Sequence, residues 1–393
     1  MKTHTVILAA TLLFVCTFEV FAANVVLRGS LDNCRTVFET TKSGTVAFIG
    51  GSITEMDGYR PMVSKWLQTR FPETEFKFID AGISSTCSTT GAFRLDRDVL
   101  SKGKLDLFFI EFAVNDDQDA AHSEQAAIRG MEGIVRHVRR TNPNCDIVIT
   151  FFVNENLMEQ YRLGKEAVSI AANRKVAAYY GISTIDLAKE ITEQIDNQQI
   201  TWNEFGGVHP APRGNRICAN MIEQVFESAW KNELSKDSVL VPRVLPTPLD
   251  RFNYEHGQFL SPETLKNATG WTWAVPDWEN ISGEFRSTFA GQKLLCAEKP
   301  GQKIEFEFDG TAIGAYILAG PDAGILEYQI DDQPPGKAVL YHHFSSGLHY
   351  PRSVMFSDEL TPGKHRIALT VSEELPEKSR GTAARIMQFE ICR

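Results

Sequence analysis

Thr45-Val46-Ala47-Phe48-Ile49-Gly50-Gly51-Ser52-Ile53-Thr54 is the stretch that decides the fold. Its apolar run reads as a buried strand, and the paired glycines stop that strand in a tight turn. Residues 59–70 follow with helical spacing. Short apolar runs recur at 76–81, 105–112 and 146–153, with a fifth at 182–185. Between them, 124–140 puts Ile128, Met131, Ile134 and Val135 on one helical face, and 157–180 and 213–230 read as long helices. Strands that are apolar throughout and alternate with helices predict a parallel sheet covered on both faces.

The texture changes near residue 240. Pro242, Pro246 and Pro248 mark a linker, and the helical pattern stops beyond it. Short alternating runs take over at 304–308, 312–318, 325–330, 338–341 and 365–371, separated by turns such as Asp309-Gly310 and Pro334-Pro335-Gly336. That pattern predicts an all-β sandwich or jelly roll. The expected organisation is therefore a signal peptide at 1–22, an α/β domain at 23–238, a linker at 239–258 and a β-sandwich at 259–393.

A length of 393 residues suits two domains, and 43% hydrophobic with 23% charged residues excludes a disordered chain. The formal charge of −10, with no basic cluster, argues against nucleic acid as a partner. Lys2, the apolar run 6–15 and Ala22-Ala23 have the layout of a secretory signal, too short to span a membrane, so a secreted (periplasmic or extracellular) protein is expected. Cys16 keeps a lipoprotein signal as the rival. Export permits disulfides among the other six cysteines, and Cys296 with Cys392 is the expected pair, since both close the C-terminal segment. Buried thiols are the alternative.

In a parallel α/β sheet, ligands bind beyond the carboxyl ends of the strands. There stand Ser52 after Gly50-Gly51, the segment Ala81-Gly82-Ile83-Ser84-Ser85-Thr86, Asn115 in Val114-Asn115-Asp116, and His209 in Gly207-Val208-His209-Pro210. A serine after two glycines also suits a helix cap, and a lone Asn or His is usually structural. Together they supply a nucleophile, an oxyanion donor and a general base. The spacing of a dinucleotide loop, a phosphate-binding loop or a metal motif is absent, so no cofactor and no metal are expected. Trp271, Trp273 and Trp278 read as sandwich core and edge, and Asp322 as part of a turn.

These four blocks, in this order over about 45–230, resemble the SGNH (GDSL-like) hydrolase family in a Gly-Gly-Ser variant. The resemblance implies a flavodoxin-like three-layer α/β/α fold. It also implies that Ser52 attacks an ester carbonyl and His209 takes its proton. Asn115 and the backbone N–H groups of Ser52 and Ser85 would hold the oxyanion, with Gly82 the alternative to Ser85. Two positions depart from the family pattern: Ser85 stands where a glycine is usual, and Gly206 where an aspartate normally orients the histidine. Glu204 from a shifted loop, a backbone carbonyl serving a Ser52–His209 dyad, and a carboxylate from elsewhere or an inactive enzyme all remain open. The expectation is a secreted serine esterase removing O-acetyl groups from a polysaccharide or oligosaccharide, by the company such esterases keep. A non-catalytic carbohydrate-binding protein and a sugar O-acyltransferase are the alternatives, and the oligomeric state is not readable.

Overall fold

The computed structural model describes residues 24–265 and 268–393; the expected signal segment 1–22 lies outside the described residues. The first part runs β1 (Val25–Val26), α1 (Asp32–Thr41), β2 (Ser43–Gly50), α2 (Ser52–Glu55), α3 (Tyr59–Arg70), β3 (Glu75–Gly82), α4 (Ser88–Asp98) and β4 (Leu107–Glu111). It continues through α5 (Glu124–Thr141), β5 (Asp146–Phe151), α6 (Glu155–Arg162), α7 (Val168–Tyr179), β6 (Ser183–Asp186), α8 (Leu187–Asp196), α9 (Trp202–Phe205) and α10 (Pro212–Ala229).

The sheet order is β1-β6-β5-β4-β2-β3, with β3 to β6 and β2 all parallel and β1 antiparallel at the edge. This is the flavodoxin-like order, whose direction of winding reverses between β2 and β4 and opens a crevice at their carboxyl ends. The central strands β4 and β5 are buried along their whole length, which is why they carry no polar alternation. The predicted face of α5 (Ile128, Met131, Ile134 and Val135) is buried, and the Ser123 hydroxyl accepts from Ala126 N–H at 3.2 Å to start the helix. Residues 157–180, expected as one helix, form two, α6 and α7, parted by a turn. No helix among the described residues is long and apolar enough to cross a membrane.

Residues 239–256 form no regular element yet are not a loose tether. Arg136 donates to Pro246 O at 2.6 Å and Arg139 to Val244 O at 3.1 Å. The fully buried Glu132 accepts from Leu249 N–H at 2.6 Å, Asp250 N–H at 2.9 Å and Tyr180 OH at 2.6 Å. A buried carboxylate needs such partners, so the segment is tied to α5 along its length.

The second part comprises β7 (Gly257–Leu260), β8 (Ala268–Thr269), β9 (Thr272–Ala274), β10 (Leu294–Ala297), β11 (Lys303–Asp309) and β12 (Ala312–Ala319). It ends with β13 (Ile325–Ile330), β14 (Gly336–Val339), β15 (Tyr350–Ser357), β16 (Lys364–Val371) and β17 (Ala384–Cys392). Two antiparallel sheets, β15-β12-β17-β10-β9 with β7 on β17 and β14-β13-β16-β11-β8, enclose a core of Ile304, Ile317, Leu326, Ile367 and Phe389. The β11 strand alternates cleanly, whereas β12 is buried throughout and β17 nearly so. Their second faces are covered too: Tyr316, Leu318 and Met387 pack with Phe289 and with Ile83 of the first part, and Ala312 and Cys392 join the first core. Arg129 rivets the parts together, reaching Asp250 at 2.9 Å, Asp358 at 2.7 Å and Glu359 at 2.5 Å.

The expected Cys296–Cys392 bridge is not formed; all six described cysteines are free. Register explains it. Cys296 lies opposite Arg385 on β17, seven residues from Cys392, or about 23 Å at roughly 3.3 Å per residue, whereas a disulfide needs Cα atoms within about 7 Å. Trp271 is buried in the sandwich core, and Trp278 stacks on Phe285 with its indole N–H on Ala290 O. Asp322 turns inward to a bidentate pair with Arg385 at 2.7 Å.

Candidate active site

The turn after β2 is built for close approach. Side-chain atoms of Asn115 press so near Gly51 that a Cβ there would overlap the amide, so only glycine admits both residues. Ser52 then opens α2, whose first-turn N–H groups have no intrahelical acceptor. Its hydroxyl lies 2.7 Å from His209 Nε2, which arrives from the loop before α10.

Beside this pair, Ser85 holds left-handed backbone (φ 70), the conformation that favours glycine, at the position where the family pattern has glycine. Its N–H has no hydrogen-bond acceptor among the described residues. Gly82, the alternative donor, has its N–H committed to Asp80 Oδ1 at 2.9 Å, so it is not free for a ligand. The turn is clamped from several sides. Glu55 accepts from Ser84 N–H at 2.8 Å and from the Ser84 hydroxyl, while Arg286 of the second part donates to Ser84 O at 3.3 Å and Ser85 Oγ at 2.8 Å. Asn115 donates one Nδ2 hydrogen to Asp119 Oδ2 at 2.8 Å, leaving the second for another acceptor. Burial holds the Asp119 carboxyl above its ordinary value, against the pull of Tyr350, Asn115 and the Arg286 charge.

Glu204 does not reach the histidine. It completes a capping box with Thr201, accepting from Thr201 N–H at 2.8 Å, and its other oxygen takes Arg213 at 3.1 Å. Gly206, at φ 107, explains why no aspartate stands three residues before His209: a Cβ there would run into the Ala211 backbone nitrogen, which is held by Phe205 O at 2.8 Å. Among the described residues no carboxylate or carbonyl hydrogen-bonds His209 Nδ1. Glu204→Gln is therefore expected to change kcat/KM on a chromogenic acetyl ester by only a few-fold; a loss beyond about 10²-fold would show that the carboxylate does orient the imidazole.

Beneath the turn, Arg94 of α4 is completely buried and binds Gly50 O at 3.0 Å, Ala81 O at 2.7 Å, the Thr86 hydroxyl at 3.3 Å and Asp98 at 3.2 Å. It joins the ends of β2 and β3, which carry Ser52 and Ser85. Glu111 at the end of β4 is buried as well; burial pushes its pKa from 4.5 to about 8, with the Thr54 hydroxyl and Gly51 N–H holding it lower than burial alone would. Its folded pKa is raised, so the fold keeps a proton that the unfolded chain gives up, and stability falls as pH rises from about 4.5 to about 8. Glu390 has the same sign. Glu111→Gln should flatten part of that slope between pH 5 and pH 8 in urea midpoints; an unchanged slope would refute a neutral Glu111.

The site opens into a cleft of about 320 Å³ lined by Ser52, Asn115 and His209 on one side and by Arg286, Phe344 and Tyr350 of the second part on the other. Sequence reasoning found the first group through strand-end motifs. It missed Arg94, although an arginine between Phe93 and Leu95 on an apolar helix face is a signal. Asp119 lay unremarked near Asn115, and nothing local marks Arg286 or Tyr350.

Residues 48–217 match the model of the GDSL-like lipase/acylhydrolase family. No curated protein matches the chain. Among solved structures, a two-domain esterase (CEX) active on acetylated mannans, co-crystallised with mannopentaose, has 20% identity and a TM-score of 0.74, covering 94% of this chain and 96% of that one. The acetylxylan esterase Axe2 from Geobacillus stearothermophilus, at 18% identity, covers 47% of this chain and 94% of its own with a TM-score of 0.39. The first likeness spans both parts, so the pairing of an α/β/α unit with a β-sandwich recurs in it.

Proposed function

We propose that the chain is a secreted carbohydrate esterase that removes O-acetyl groups through an acyl-enzyme on Ser52. The observation that carries this reading is the 2.7 Å hydrogen bond between Ser52 Oγ and His209 Nε2 beside the free Ser85 N–H. In the first step His209 Nε2 takes the hydroxyl proton as Ser52 Oγ bonds to the acetyl carbonyl carbon. The carbonyl oxygen, now an oxyanion, is held by the N–H groups of Ser52 and Ser85 and by Asn115 Nδ2. The intermediate collapses, the C–O bond to the sugar breaks, and His209 returns the proton to the departing sugar oxygen. Water, deprotonated by His209, then attacks the acetyl-serine; acetate leaves and Ser52 regains its proton.

His209 works here without a carboxylate partner, as a dyad. Residues 23–238 are the catalytic domain in this reading, 239–258 the connection and 259–393 an accessory sandwich that walls the cleft. A cleft this small, lined by Asn115, Asp119 and Arg286 beside Phe344 and Tyr350, suits an acetyl group on a glycan better than a long acyl chain. The acetyl-mannan activity of the structurally similar two-domain esterase makes acetylated mannan the first polysaccharide to try. Purified protein should release acetate from acetylated polysaccharides and hydrolyse a chromogenic acetyl ester. No release from any acetylated glycan or ester would leave a binding protein instead. Diversion of acetyl to an added sugar acceptor in place of acetate would make it a transferase.

A further inference from the structure

Cys87, Asp116 and His122 play no part in those steps, yet they meet at one point. Cys87 precedes α4, Asp116 follows Asn115, and His122 closes the loop by donating its N–H to Asp116 O at 2.9 Å. That closure puts Ala121 in left-handed backbone (φ 47), strain that a non-glycine residue adopts only where surrounding structure imposes it. One sulfur, one carboxylate oxygen and one ring nitrogen from the three side chains all lie within 4.8 Å of one another.

Their hydrogen bonding is incomplete. Asp116 Oδ1 accepts from Ser88 N–H at 2.8 Å, but the buried Oδ2 has no partner. His122 Nδ1 stands 3.3 Å from Asp116 Oδ1, at ion-pair distance but outside regular hydrogen-bond geometry. Its Nε2 is 3.3 Å from the Thr89 hydroxyl. If Thr89 accepts the Nε2 proton, the Nδ1 lone pair points into the cluster, the arrangement by which an outer hydroxyl or carbonyl orients a metal-binding histidine. Buried polar atoms left unpaired are costly, and a cation held among the three side chains would offset part of that cost.

We propose that Cys87, Asp116 and His122 form a zinc(II) site, with thiolate, carboxylate oxygen and imidazole nitrogen as ligands. Calcium and magnesium prefer oxygen alone, whereas zinc takes all three donor types. Around a tetrahedral zinc, bonds of about 2.0–2.3 Å place ligand atoms roughly 3.3–3.8 Å apart, so the side chains need close by little more than an ångström. Cys87 and His122 also line a cavity of about 390 Å³ between the two parts, together with Asp119, Tyr350 and Arg352. The ligands also flank the oxyanion donors: Cys87 is two residues beyond Ser85, and Asp116 adjoins Asn115. Zinc bound there would tie the two donor loops together.

Metal binding itself is the test, independent of ester hydrolysis. Cobalt(II) titrated into the metal-free protein should bind about once per chain and give the intense thiolate-to-cobalt charge-transfer band of a sulfur ligand. Cys87→Ser should lose that band, and Cys296→Ser, outside the cluster, should keep it. Zinc should raise the Tm of the parent protein and not that of His122→Ala. If either variant fails to fold, the parent alone decides: zinc should slow iodoacetamide alkylation at Cys87, located by peptide mass spectrometry. A cobalt spectrum without the sulfur band, equal metal retention by Cys87→Ser, or alkylation indifferent to zinc overturns the site and leaves an isolated thiol–imidazole pair.

Discussion

Ser52→Ala is expected to lower kcat/KM on a chromogenic acetyl ester by about 10⁴-fold or more, because it removes the atom that would carry the acyl group. The oxyanion donors survive the substitution, so weak hydrolysis above the water rate should remain. Stability should hardly change: Ser52 is half-buried and its hydroxyl bonds only His209. His209→Ala should fall nearly as far, and the double variant little further, since the two groups act as a unit. Unimpaired hydrolysis by Ser52→Ala, with contaminating esterase excluded, would remove the acyl-enzyme reading.

The second large effect comes from a residue that touches no substrate. Arg94→Met should cost about 3–5 kcal/mol of stability, the scale for removing one partner from a buried ionic network. It would leave Asp98 to Arg97 alone and strip a donor from the carbonyls of Gly50 and Ala81. Those carbonyls end the strands that carry Ser52 and Ser85. A relative shift of about 1 Å between nucleophile and oxyanion donor is enough to lower turnover by about 10²-fold. The loss should fall on kcat, with KM nearly unchanged, which separates misplacement from partial unfolding. Arg94→Lys should rescue little, because one ammonium cannot span the acceptors that a planar guanidinium reaches. Full activity in a folded Arg94→Met would refute the positioning role.

Much of this was legible locally. The run 45–54 already implied a buried strand, a tight turn and a serine at the strand's end, since apolar pattern and paired glycines are properties of neighbouring residues. Strand-end position likewise marked Asn115 and His209. Even the missing aspartate was visible at Gly206, although its steric cause was not. Legibility failed where partners are distant. Glu204 was a reasonable acid by proximity in sequence, but Thr201 captured it three residues away, because a capping box forms locally whatever the histidine requires. The Cys296–Cys392 pairing failed through strand register, which no spacing reveals. The near-complete burial of β12 and β17 erased their alternation, since the first part covers the face a sandwich would expose.

By itself, then, the sequence determined the two fold classes and pointed to the serine, amide and histidine of the candidate site, because periodicity and turn chemistry act over a few residues. Tertiary structure alone decided what surrounds them: Arg94 beneath the turn, Arg286 and Tyr350 across the cleft, and the meeting of Cys87 with Asp116 and His122. Those contacts join residues that only the packing of strand ends and the docking of one part on the other bring within hydrogen-bonding or ligand distance, and separation along the chain carries no trace of that.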